Sequence, residues 1–161
     1  MQNYIMKKEE FVKKIIAQLR DVYKESVAAI NEAADTATHE ENVAKSKYDT
    51  KSIEAAYLVE GQLRRNAEIE RDIAAFQAMK IRSFDDQSRV LLSALITLEC
   101  EEGTLLKLFM GPSAGGMYVG DIQLITPPSP LGQAVLGKYC GDEVTLTIDG
   151  LIRKYKILLL K

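Results

Sequence analysis

Between Met6 and Met79 the apolar residues recur in steps of three and four. In the first half the steps reach Val12, Ile16, Leu19, Tyr23, Ser26, Ile30, Ala33 and Ala37. In the second they reach Ile53, Ala56, Val59, Leu63, Asn66, Ile69, Ile73 and Phe76. Such steps place side chains on one helix face. Folding the two stripes antiparallel sets Val12 against Phe76, Leu19 against Ile69, Tyr23 against Asn66, Ser26 against Leu63 and Ala37 against Ile53, in one register. The positions off the stripe, among them Lys13, Lys14, Arg20, Lys24, Glu25 and Glu32, are charged and form a solvated face. No proline interrupts the segment, so the helices are expected to run straight. Each arm has about 25–30 residues and spans roughly 40 Å. A rod of that length places its tip, at about 38–51, far from its base. The first helix is expected to start between Asn3, a possible N-cap, and Lys8; the second runs from about Thr50, capped by Asp49 or Thr50, to Ala78.

Residues 80–89 are polar and aperiodic, and read as a linker. The period then changes to two. Leu92, Ala94, Ile96, Leu98 and Cys100 alternate with more polar partners, which predicts a strand. A turn at Glu101-Glu102-Gly103 leads into a strand over 104–110, and short strands follow at 117–119 and 122–126. Ser129-Pro130 is a helix start, with serine as N-cap and proline in the first turn, and Gly137 ends that helix. Asp149-Gly150 between alternating strands is a two-residue hairpin. The fold class is therefore α+β. An N-terminal antiparallel two-helix coiled-coil hairpin (1–79) precedes a small antiparallel β-sheet domain with one short helix (90–161). The second domain is expected to fold alone as residues 88–161.

With 161 residues, a net charge of −2 and ordinary apolar content, the chain has no general basic surface. Met1 to Glu10 does not read as a signal peptide, and no apolar run is long enough to span a bilayer. Cys100 and Cys140 lack CxxC spacing and read as reduced thiols of a cytoplasmic protein. A single histidine, His39, excludes a His-rich zinc site, and a Ser-His-Asp triad outside the tip.

Three features carry candidate chemistry. At the tip Glu40, Glu41 and Asp49 stand beside Lys45, Lys47 and Lys51. A solvated turn with a cap explains most of these charges. Alternatively, a carboxylate pair at the end of a rod holds one face of a divalent cation whose other ligands a partner supplies. On the rod's flank, Arg64, Arg65 and Arg71 are either a solvated face or a contact for nucleic-acid phosphate. In the seam, Asn66 is polar and is expected to accept or donate a hydrogen bond with Tyr23. Gly61, costly inside a helix by about 1 kcal/mol, is expected to mark a close helix contact.

The run from Thr126 through Pro128, Ser129, Pro130, Ala134, Leu136, Gly137, Lys138, Gly141 and Asp142 to Val144 resembles the C-terminal domain of the GreA/GreB transcript-cleavage factors. Upstream, Glu60-Gly61 is similar to the Glu-Gly-Arg-Ile segment of that family's second helix. The order of a coiled-coil hairpin and then an FKBP-like sheet domain is also the family's. The resemblance implies a factor that binds bacterial RNA polymerase through the C-terminal domain, with Pro128, Ser129 and Pro130 at the docking site. The hairpin would enter the secondary channel and bring acidic tip residues to the active-site magnesium, where the polymerase cleaves backtracked transcript RNA. The factor would have no catalytic residues and no cofactor of its own. Of the tip acids, Glu40 and Glu41 with Asn42 following match best, and Asp49 is the reserve. Without a gap, however, the two acid positions of the family fall on Asn42 and Lys45, and Pro128 stands where the family often has Asp or Asn. Two alternatives stay open. One is a non-cleaving channel-blocking or Rnk-like polymerase regulator. The other is an FKBP-like peptidyl-prolyl isomerase or chaperone, against which stands the sparse aromatic set of Phe109, Tyr118, Tyr139 and Tyr155. A structural coiled coil that dimerises through its rod is a further possibility, whereas the intramolecular register predicts a monomer.

Overall fold

The structure, a computed structural model, describes the backbone of residues 7–43 and 50–161, and the side chains of residues 7–35 and 53–161. Helix α1 spans Lys8–Val43 and α2 spans Thr50–Ala78. The sheet strands are β1 (Leu95–Cys100), β2 (Leu105–Met110), β3 (Tyr118–Val119), β4 (Ile122–Ile125), β5 (Glu143–Ile148) and β6 (Leu151–Leu160), with α3 (Pro130–Val135) between β4 and β5. The expected α+β organisation, two long helices and then a sheet with one short helix, is what the chain forms. The proposed Asn3 and Asp49 caps lie outside the described residues. α1 runs on to Val43, so part of the expected tip is helix.

The six strands form one sheet in the order β3-β4-β2-β1-β6-β5. It is mixed rather than wholly antiparallel. β2 and β4 run parallel, Phe109 beside Leu124 and Met110 beside Ile125, because the long loop after Met110 returns the chain to the same end before β4 begins. The Asp149-Gly150 turn has positive φ at both residues, 51° and 77°, as a two-residue hairpin between twisted strands requires. The first strand starts three residues later than its alternation predicts, at Leu95. Ser93 sits in the left-handed region at φ 71° and breaks the extended run.

Period two divides the sheet's apolar residues between two faces. One face carries Ile96, Leu98, Leu108, Met110, Ile125, Val144 and Ile157, buried with Val135 of α3 in the main core. The other presents Phe109 and Leu124, both fully buried. The base of the helical hairpin covers Phe109: the Phe11 ring lies 5.1 Å from it at 58°. Phe76 lies on Gly111, where an added Cβ would come within 2.9 Å of the ring.

The chain accordingly divides into two compact units inside the helices and not at 80–89: residues 1–15 with 75–161, and residues 16–74. The expected linker is part of the first unit. Phe84 packs against the core, Ser88 and Asp85 close a turn, and Arg89 bridges to Tyr139. Lys8 fastens the start of α1 to this segment. Its ammonium donates to the carbonyls of Arg82 and Ser93 and lies 4.5 Å from the Phe84 ring centroid. Burial holds its pKa below the usual lysine value, against the opposing pull of Glu9.

In the second unit the seam follows a regular alternation of three and four. Leu19, Asn66 and Ile69 are buried, and Tyr23, Ser26, Ile30, Ala55 and Val59 are half-buried. The predicted register differs toward the tip. Ser26 bonds Gln62, at 3.0 Å, rather than packing on Leu63. Leu63 is 55% exposed and Ile53 54% exposed. Choosing the apolar residue at each step put two three-residue steps in a row at 53-56-59 and again at 63-66-69, whereas two helices in contact keep an average near 3.5 residues.

Candidate functional site

The sequence-predicted site residues fall in three places: the corner before α3, the end of α1, and the flank of α2. The corner is built around one hydroxyl. Ser129 Oγ accepts from the backbone N–H of Gly132 at 3.1 Å and of Thr126 at 3.2 Å, and donates to the Thr126 carbonyl at 2.7 Å. One donor and two acceptor sites are all a hydroxyl has, so Ser129 is fully used within the chain. Its backbone at φ −67° and ψ 154° is that of an N-cap, with Pro130 in the first turn. Gly132 permits the tight return, since a Cβ there would lie 1.7 Å from the Thr126 carbonyl oxygen. The result is a rigid corner that holds Pro128 and Pro130 out as exposed rings. Of the three residues predicted to dock, the two prolines are available to a partner and Ser129 positions them. Thr126 and Gly132 belong to this device although the sequence marks them only weakly; a glycine in the middle of a six-residue helix was the available signal.

After the helix, the corner continues into a second fastening. Gly137 N–H donates to the Val90 carbonyl and Val90 N–H to the Lys138 carbonyl, both at 2.8 Å. The Asp142 carboxylate accepts from the Tyr139 N–H at 2.8 Å. This gives the Gly-Lys and Gly-Asp of the sequence pattern structural work.

Glu40 and Glu41 lie in the last turns of α1. Their side chains, and all of Asp49, lie outside the described residues, as do Lys45 and Lys47. That placement has an electrostatic meaning. A helix C-terminus carries a partial negative charge, so carboxylates there are disfavoured, and no basic residue occupies the last turn to offset them.

On the flank, the arginine patch is largely spent on α2 itself. Arg64 pairs with Glu60 at 3.5 Å and Arg65 with Glu68 at 3.2 Å, all solvent-exposed. Arg71 is exposed and has no ion pair among the described residues. The expected Tyr23–Asn66 bond does not form. Tyr23 donates to the Glu70 carboxylate at 2.8 Å, and that bond raises the phenol's pKa. A tyrosine ring is long enough to reach past the seam to the helix edge, which leaves Asn66 Oδ1 buried without a partner. Gly61 has open space around it and makes no close contact, so nothing in the structure explains it. Both cysteines are free. At Cys100 partial burial pushes the thiol up, but bonds from the Glu102 backbone and the Thr104 hydroxyl outweigh it and bring the pKa below the usual value. Among the described residues no three His, Cys, Asp or Glu side chains converge as a metal site. No described helix is long and apolar enough to cross a membrane.

No family model matches the chain. Among curated proteins, the transcription elongation factor GreA of Ralstonia nicotianae is 28% identical over 144 residues, covering 86% of this chain and 84% of that protein. Among solved structures, Gfh1 of Thermus aquaticus aligns at a TM-score of 0.43 and 20% identity, over 95% of this chain and 93% of that one. A GreA/GreB factor from Nitrosomonas europaea aligns at 0.41 and 17%, over 60% of this chain and 78% of that one. The similarity to that GreA factor runs along most of the chain.

Proposed function

We infer that this divergent GreA/GreB-like chain is a transcription elongation factor that acts on bacterial RNA polymerase. The observation that carries the reading is the identity to a GreA factor over 86% of the chain, which takes in both the helical hairpin and the sheet domain. The Ser129 corner adds to it, because it gives the most specific stretch of the resemblance a physical purpose: it presents Pro130 on a fixed turn, with Pro128 exposed beside it in the place where the family often has Asp or Asn. In this reading the sheet domain docks on the polymerase through that corner and the hairpin enters the secondary channel.

The chemistry belongs to the polymerase, and this chain performs none alone. Magnesium at the polymerase active site supplies the Lewis acid for phosphodiester hydrolysis of backtracked RNA. What the chain contributes is charge at a distance: Glu40 and Glu41, at the negative end of α1, are the carboxylates that would complete a metal site in trans. Lys45 and Lys47 in the same tip oppose cation recruitment and favour pairing with the polymerase's own carboxylates. The factor therefore binds the polymerase and stimulates cleavage weakly. The test uses a backtracked elongation complex with wild type and with Glu40→Ala/Glu41→Ala. Release of RNA fragments by wild type and loss in the double variant is expected. Equal release by both removes these residues as ligands. No release together with slower nucleotide addition replaces cleavage by channel blocking. Failure of the wild type to compete with a GreA factor for core polymerase overturns the reading itself.

A further inference from the structure

The first compact unit carries an apolar groove apart from the corner and the tip. Ala75 and Ala78 of α2, with Met79, Leu92 and Pro112, line a cavity of about 290 Å³ that is open to solvent. Its volume suits one large aliphatic or aromatic side chain. Two of its lining residues, Ala75 and Ala78, are small. Lys80 and Arg82 also line it, both exposed, and neither has an ion pair among the described residues. No acid lines it, although the chain as a whole carries a net charge of −2. The wall is also held in advance. Arg82 N–H donates to Ser93 Oγ at 2.8 Å, its carbonyl accepts from the Lys8 ammonium, and Ser93 is fully buried. A preformed wall spares a ligand the cost of ordering it.

We propose that this groove docks a short segment of a partner protein in which one bulky apolar side chain is flanked by carboxylates. The apolar residue fills the space above Ala75 and Ala78, and the carboxylates meet Lys80 and Arg82. Charge complementarity selects this occupant: a neutral or basic segment of equal apolar content would leave both cations unmatched or repelled. The inference stands independently of the polymerase reading.

The test is fluorescence anisotropy of the full chain with a labelled peptide Glu-Asp-Leu-Phe-Asp-Glu. Two control peptides replace Leu-Phe by Ser-Ser or all acids by lysine. Two protein variants are compared: Ala78→Trp, which fills the groove, and Arg82→Glu, which reverses one charge while leaving the backbone bonds to Ser93 and Lys8. The acidic apolar peptide is expected to bind, both controls to bind at least about tenfold more weakly, and both variants to lose at least about tenfold. Raising the salt should weaken the wild-type complex. Thermal melting of each variant confirms that it is folded. Absence of binding, binding of the lysine peptide as tightly as the acidic one, or unchanged binding to the Ala78→Trp variant overturns the proposal. So does concentration-dependent self-association that Ala78→Trp abolishes, since the occupant would then be a second copy.

Discussion

Asn66 shows at residue scale how a seam is used for something besides cohesion. Its Oδ1 is buried and unpartnered, although the residue is flanked by apolar neighbours on the same stripe. A buried acceptor without a donor costs about 1–3 kcal/mol. Such a residue is retained in helical seams where it sets register. Asn66→Leu is therefore expected to stabilise the chain by about 1–3 kcal/mol in urea unfolding, and a destabilised variant would show that the amide is satisfied after all. Tyr23 gives a second residue-scale test. Its bond to Glu70 raises the phenol's pKa in the folded state. The sign follows: the contribution is fully present below the unfolded tyrosine value near about 10 and is lost as pH rises through the higher folded value. Ultraviolet difference titration of wild type against Tyr23→Phe isolates this phenol among the seven tyrosines. In a Glu70→Gln background the same phenol should titrate at a lower pH; an unchanged midpoint refutes the bond.

At the scale of elements, the hairpin base and the sheet domain share a core. Phe109 is fully buried and faces Phe11, and Phe76 fills the shelf left by Gly111. A fragment of residues 88–161 strips away both phenylalanines together with Ile15, itself fully buried. Removing one buried phenylalanine side chain costs about 3–5 kcal/mol. The fragment is thus expected to melt more than about 10 °C below the full chain and to bind a hydrophobic dye. A fragment as stable as the parent would restore a boundary at 80–89. The same reasoning explains why that boundary looked natural. Residues 80–89 are polar because they run over the surface, yet their backbone is held by Ser93, Lys8 and Tyr139, and backbone bonds leave no mark in a hydropathy pattern.

For the whole molecule, the long helices, the strands and the Asp149-Gly150 turn were legible in the sequence because each is set by local periodicity and turn chemistry. So was the Ser129-Pro130 helix start, which depends on neighbours in the chain. The candidate site was legible in part. The prolines could be named, but not that Ser129 spends its whole hydrogen-bonding capacity on Thr126 and Gly132. Tertiary structure decided the rest. It chose Gln62 over Leu63 for the seam, because a partner helix enforces a mean spacing that apolar residues alone do not reveal. It sent Tyr23 to Glu70 and left Asn66 alone, because side-chain reach depends on geometry across the pair. It paired β2 with β4 in parallel, a choice made by the path of a loop. Local sequence determines which elements form; which residues meet across them depends on packing between segments far apart in the chain, and that information is distributed over both partners rather than written in either.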